Sequence, residues 1–243
     1  MTEATAVPPT PAGAGLWEDF IDIFHQPSQV FDRRRDGQFG LALLLLVVIM
    51  ALLYFALNNG IAPIIEAEVG RQAAAMAEKN PTMSADQLTG ARGAMEKFAM
   101  FGAVVFVPLG VLLGALVLWL VAKFLDAKVA FAAAMMIMTY SQLPRLVELI
   151  LNALQGLFLD PASITSRYSV QIGPARFLDN DANPFLAALL GGLDLFTIWV
   201  CVLVAIGLAV VARVPLKRGV IASAIVWVLG LLPALFAALG EAG

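Results

Sequence analysis

Five long apolar runs divide the chain, at roughly 39–58, 98–122, 129–158, 185–212 and 219–239. A helix rises about 1.5 Å per residue, so about 20 apolar residues cross a hydrocarbon core about 30 Å thick. Four of the runs meet that length cleanly. The third is irregular. It opens with the purely apolar "VAFAAAMMIM" and then meets "TYSQLPRLVELILNALQG", which carries polar groups to membrane depth. A straight helix over 129–158 would be about 45 Å long, so the segment must tilt, bend or leave the membrane. Pro144 lacks an N–H and crowds the preceding turn, which predicts a break or kink there. The predicted fold is an all-α integral membrane protein, a bundle of five transmembrane helices with the third kinked.

The polar positions of the third run are regular. Ser141, Arg145, Glu148, Asn152 and Gln155 are spaced four, three, four and three apart, which is one face of a helix. From Leu143 to Leu154 every other position is apolar or Pro144. Arg145 lies about 25 Å along this run, and Asp194 about 15 Å into the fourth run from the opposite side. The two therefore reach similar depth. An unpaired charge there costs several kcal/mol, and a hydrogen-bonded pair far less. An Arg145–Asp194 pair is expected, with Glu148 as a second partner. The cluster is either a functional site or a lock on a kinked helix.

Between the runs, residues 1–14 are Pro-, Ala- and Thr-rich and read as a disordered tail. Residues 15–37 read as a cytoplasmic amphipathic segment, with Trp17, Phe20, Ile21 and Phe24 on one helical face, Glu18, Asp19 and Asp22 away from it, and Pro27 as the stop. That helix either packs on the bundle or anchors at the interface. Residues 59–97 predict a helical hairpin: one helix ends at Asn80-Pro81, and Ser84 with Gln87 opens the next by a capping box. Residues 160–184 predict an irregular loop with a β-like run, "RYSVQI". Gly110 and Gly114 in the second run, and Gly191 and Gly192 in the fourth, are helix-packing positions, either within the bundle or between copies. Pro233 in the last run is a kink site.

Composition sharpens the class. Of 243 residues, 60% are hydrophobic, which excludes ordinary soluble folds. One histidine and one cysteine, Cys201, leave no conventional zinc site and no intrachain disulfide. No metal or other cofactor is expected. A net charge of −3 argues against nucleic acid as a partner. No Gly-rich phosphate loop is present, and Ser141, Tyr140 and Glu148 are neighbours without the marks of an activated nucleophile, so no catalytic residue is assigned. The first apolar run follows a polar, Pro-rich segment, so an uncleaved first span is expected rather than a signal peptide. Arg33, Arg34, Arg35, Lys123, Lys128, Arg213, Lys217 and Arg218 flank the runs in short segments. The positive-inside rule then puts the N-terminus in the cytoplasm and the C-terminus outside.

Three stretches carry a family likeness. "FIDIFHQPSQVF" with Pro27 and Phe31, "YSQLPRLVELIL" with Ser141 and Pro144, and "LDLFTIWVCVLVAIGL" followed by a short basic turn resemble, in order and spacing, bacterial proteins of the Yip domain family (Ypt-interacting proteins). The likeness covers about residues 16–238. It implies five spans, a membrane domain over 38–240 and a cytoplasmic N-terminus. In eukaryotes the family works in Golgi vesicle traffic with Rab-type GTPases and other family members. The short cytoplasmic head here offers no GTPase-binding surface, so that role is not carried over. The resemblance implies a bacterial inner-membrane location and leaves the activity open. The reading is a non-catalytic interaction or membrane-organising protein, whose partners are the lipid bilayer and itself or other membrane proteins. The alternative is a transporter, channel or lipid-moving protein that uses the polar face of the third run, its small-molecule substrate unknown.

Overall fold

The computed structural model describes residues 15–178 and 183–241, and all regular elements among them are helical. The tail at 1–14 lies outside the described residues. α1 (Leu16–Asp22) and α2 (Pro27–Arg33) precede α3 (Gly40–Ala56). α4 (Asn58–Lys79) and α5 (Ala85–Phe124) form the hairpin, followed by α6 (Phe131–Ser141) and α7 (Pro144–Phe158). Three 3-10 turns lead to α8 (Pro184–Gly191), α9 (Leu195–Ala212) and α10 (Leu216–Glu241). The hairpin end of the bundle carries α4 and the 160–178 segment. α1 and α2 pack along α6 and α9: Phe20 meets the Tyr140 ring, Phe24 the Trp199 ring, and Phe31 lies against Gly207.

Three helices are by themselves long and apolar enough to cross a membrane: Val105–Phe124 within α5, Leu195–Ala212, and Leu216–Leu239 within α10. A fourth is reached if α3 and α4, bent by 88°, count as one span. The 17 residues of α3 are about 26 Å long and fall just short alone. The third and fourth runs are each two helices rather than one. α6 ends at Ser141 and α7 starts at Pro144 in its first position, where the missing N–H removes no helical bond. Of the expected break or kink at Pro144, the structure shows the break: Pro144 begins a new helix. In the fourth run, α8 stops at Gly191 and α9 starts after Asp194.

The hairpin follows from local chemistry. α4 ends at Lys79 with Asn80 as its cap. The Gln87 N–H donates to Ser84 Oγ at 3.3 Å, and the Ser84 N–H donates to Gln87 Oε1 at 2.9 Å. α5 then runs unbroken into its span. The expected kink at Pro233 does not interrupt α10. Arg167–Val170, expected to be β-like, is a 3-10 turn whose first N–H groups are capped by Ser166. Tyr168 and Val170 are both buried, so alternation of polar and apolar residues here reports burial by the bundle and no strand pairing.

The N-terminal segment is part of the core. Ile23, Val30 and Phe31 have no exposed surface. The expected apolar stripe splits: Phe20 is buried, while Trp17 and Ile21 are 62% and 66% exposed. Asp19, expected on the solvent face, is wholly buried. Arg33 Nη2 and Nε donate to Asp19 Oδ1 at 2.7 and 3.1 Å, and Arg34 Nε donates to Oδ2 at 2.6 Å. Two guanidinium groups on α2 and its end draw this carboxylate inward, because a buried carboxylate persists only when its lone pairs are satisfied.

Small residues set the closest helix contacts. A Cβ added to Gly114 would stand 2.5 Å from the Met138 side chain, and one at Gly192 would stand 2.3 Å from Leu231. Gly191 abuts the Tyr168 ring in the same way. Gly110, expected to pack, has nothing within 4 Å of that position, because at its level the same helix face borders a cavity lined also by Met50 and Gln142. The tightest contact involves residues that periodicity did not mark: a Cβ on Gly156 of α7 would lie 1.8 Å from the Gly60 carbonyl of α4.

Candidate functional site

Both α7 and α9 begin inside apolar surroundings, where the first N–H groups of a helix have no water to bond. Asp194 resolves this for α9. Its Oδ1 accepts from the Phe196 and Thr197 N–H groups at 2.9 and 3.1 Å, and its Oδ2 accepts from the Thr197 hydroxyl. Arg145 stands in the first turn of α7. Its Nη1 donates to Glu148 Oε2 at 2.6 Å and its Nη2 to Thr197 Oγ1 at 2.8 Å. Arg145 Nη1 lies 3.8 Å from Asp194 Oδ1, which is an ion pair without a direct hydrogen bond. Thr197 relays between them.

The charges have a physical logic. Two helix N-termini place partial positive charge at this level, and Arg145 adds a full one. Glu148 and Asp194 supply the two carboxylates that oppose it. Asp194 is 2% exposed and the Arg145 side chain 28%, so the cluster is a mostly desolvated network with its bonds closed on itself.

A cavity of about 380 Å³ lies beside the cluster, with Arg145, Asp194 and Thr197 on one side and Val226, Trp227 and Leu231 of α10 on another. The break in the fourth run frees backbone groups, and α10 takes one: Trp227 Nε1 donates to the Gly192 carbonyl at 2.8 Å. Ser223 Oγ donates to the Cys201 carbonyl at 2.7 Å, which ties α10 to α9. The 3-10 segment reaches down to the same level. Gln155 Nε2 donates to the Val170 carbonyl at 2.7 Å, and the Leu195 N–H to the Ile172 carbonyl at 3.0 Å. Irregular backbone at such depth is stable where protein buries it or where it lines a cavity. Arg167, Tyr168 and Gln171 line this one.

The family model of the Yip1 domain matches residues 21–237. The chain belongs to the Yip1-domain family. No curated protein and no solved structure matches it.

Within this Yip1 domain the polar stripe of the third run is divided among several settings. Arg145 and Glu148 join Asp194. Asn152 lines a separate cavity of about 450 Å³, with Gln142 and Glu148, on the other side of Arg145. Gln155 ties α7 to the 3-10 segment. Ser141 belongs to α6, is wholly buried, and its hydroxyl has no partner among the described residues. The break after Ser141 interrupts the helical register, so it leaves the stripe. Thr197, Arg167, Tyr168, Gln171 and Trp227 were not marked by spacing. The one available signal was Thr197, three residues after a candidate N-cap Asp.

At the hairpin end Glu68 accepts from Arg71 Nη2 at 3.1 Å, from Gln72 Nε2 at 2.9 Å and from the Arg167 N–H at 3.4 Å. Burial alone would push its carboxyl up. The charges of Arg167 and Arg71 and the bonds from Gln72 and Arg71 outweigh that and hold it below the ordinary glutamate value.

Proposed function

We propose that this Yip1-domain protein is a non-catalytic organiser of a bacterial inner membrane, assembling with itself or with other membrane proteins. The observation that carries this reading is the closure of the polar cluster: Arg145, Glu148, Thr197 and Asp194 bond to one another and to the first turn of α9. Such a network holds two broken helices together and presents no poised nucleophile or base. α10 leaves most of its apolar window open, with 11% of it buried against 39% for α9, a surface for lipid or for a second membrane protein. In this reading α3 and the α6–α7 pair complete five crossings, the N-terminus is cytoplasmic and the C-terminus outside. Arg33, Arg34 and Arg35 before α3, Lys123 and Lys128 around the α5–α6 turn, and Arg213, Lys217 and Arg218 around the α9–α10 turn support that orientation.

The test is flux through proteoliposomes for ions, small solutes and labelled lipids, alongside cross-linking between copies and with native-membrane partners. Tight vesicles with specific cross-links are expected. Flux that disappears in a folded Arg145→Leu variant would replace this reading with a transport function. For orientation, a cysteine at Thr89 should react with impermeant thiol reagents in intact cells and one at Ala14 should not; the reverse pattern overturns it.

A further inference from the structure

Within the five apolar runs, the side chains that carry a carboxylate, ammonium or guanidinium group are Arg145, Glu148 and Asp194. Their cluster is closed in its hydrogen bonds but not in its charge, because two carboxylates face one guanidinium. Of the four carboxylate oxygens, three accept bonds: Asp194 Oδ1 and Oδ2 at the start of α9, and Glu148 Oε2 from Arg145. Glu148 Oε1 accepts none among the described residues. Glu148 lines the cavity of about 450 Å³ between α3, α5 and α7. Asn152, one turn further along α7, and Gln142, at the break before it, line the same cavity. Neither carboxamide has a hydrogen bond among the described residues, and neither is sealed from space. The remaining walls are apolar: Met50 of α3, Phe106 and Val107 of α5, and Leu149 of α7. Phe106 and Gly110 lie within the spanning part of α5 and are exposed, so the cavity is a cleft that opens sideways to the bilayer.

We propose that this cleft binds a lipophilic primary amine in its protonated form, a monovalent organic cation that enters from the bilayer. An unbonded carboxylate oxygen and two unbonded carboxamides at hydrocarbon depth each cost free energy until a polar partner meets them. A monovalent cation supplies the charge that the cluster lacks. An ammonium also supplies N–H donors. Glu148 and Asn152 stand four apart on α7, so their side chains are neighbours on the helix surface, and one ammonium donates to Glu148 Oε1 and to Asn152 Oδ1. The apolar body then lies against Met50, Phe106, Val107 and Leu149, where an aromatic ring finds both a ring and a thioether. An anion would meet Glu148 head-on, while the guanidinium behind it is already bonded to Glu148 and Thr197. A neutral ligand would leave the excess negative charge in place. The cavity on the other side of Arg145 is also lined by Arg167 and does not suit a cation. A volume of about 450 Å³ falls within the range of about 300–1,000 Å³ usual for small-molecule sites. Gly110 leaves this space open, since a Cβ there would meet nothing within 4 Å. The site requires binding alone and stands whether or not the organising role does.

The experiment is equilibrium dialysis of the full chain in detergent at neutral pH, with protein-free micelles as the blank, against three probes that share one body and differ in the head: phenylbutylamine, phenylbutanol and phenylbutyrate. The wild type is expected to bind the amine saturably and about tenfold more tightly than the alcohol, the gain of one charge-assisted contact, and to bind the carboxylate no better than the blank. Glu148→Gln should erase the preference for the amine. Asn152→Leu, which breaks no bond of the folded chain, should weaken the amine several-fold. Gly110→Leu fills the cleft from a position with room for the side chain, so it should abolish amine binding while thermal unfolding stays close to that of the wild type. Glu78→Gln, an exposed change on the hairpin, should leave all three probes unaffected. Equal binding of amine and alcohol by the wild type overturns the proposal, as does undiminished amine binding in Glu148→Gln or in Gly110→Leu. Displacement of the amine by millimolar sodium at constant ionic strength also overturns it, since the carboxylate would then belong to an inorganic cation.

Discussion

Removing Arg145 should damage the protein more than removing Asp194, although the two belong to one network. Asp194→Ala deletes an N-cap, which costs about 1 kcal/mol. It also frees the Thr197 hydroxyl. Arg145 keeps Glu148 at 2.6 Å, so its charge remains compensated. The expected total is about 2 kcal/mol. Arg145→Ala instead leaves Glu148 and Asp194 together without a cation; with the Arg145 side chain 28% exposed, the cost is about 3 kcal/mol, the low end for breaking a buried pair. The double variant should be less damaging than the sum, by about 0.5–3 kcal/mol, because the two side chains share Thr197. Asp194→Asn, which keeps a side-chain oxygen for the cap, should lie nearest the wild type of the single changes. Unfolding followed by tryptophan fluorescence in a fixed detergent would measure all four. Additive losses, or an Asp194→Ala variant weaker than Arg145→Ala, would refute the shared network.

Gly156→Val should disrupt the docking of α7 on α4 and cost on the order of 2 kcal/mol or more, while Gly110→Ala, with open space around it, should stay within about 0.5 kcal/mol of wild type in the same unfolding assay. Asp19→Ala should leave Arg33 and Arg34 facing each other beside the core and release α1 and α2, seen as faster proteolysis of the N-terminal segment; because both arginines reach solvent, a loss of about 2 kcal/mol is expected, below that of a fully buried pair. The lowered Glu68 pKa gives a stabilisation that is complete above the unfolded glutamate value of about 4.3 and is lost as pH falls through the lower folded value. Melting temperatures taken from pH 6 downward should therefore fall less steeply in Glu68→Gln than in the wild type.

The chain's own order of residues determined a good deal. Long apolar runs dictate membrane helices because no other local structure satisfies the backbone in lipid. The Ser84–Gln87 capping box and the stop at Asn80-Pro81 are local signals, and the hairpin follows them. Depth counted along two runs brought Arg145 near Asp194, since helical rise is constant. Tertiary structure decided the rest. The fourth run, which reads as a single span, is broken, because the groups that satisfy its broken ends come from elsewhere: Trp227 from α10, and Ile172 from the 3-10 segment. Asp19 is buried because α2 folds back to bring two arginines onto it, and periodicity on α1 alone points it to solvent. Gly60 and Gly156 meet although almost a hundred residues separate them, and no pattern within either helix reports on the other. Sequence periodicity tells which side of one helix is unlike the other; which groups then face each other is set by how separate helices share one limited interior, where each buried polar atom must find a partner.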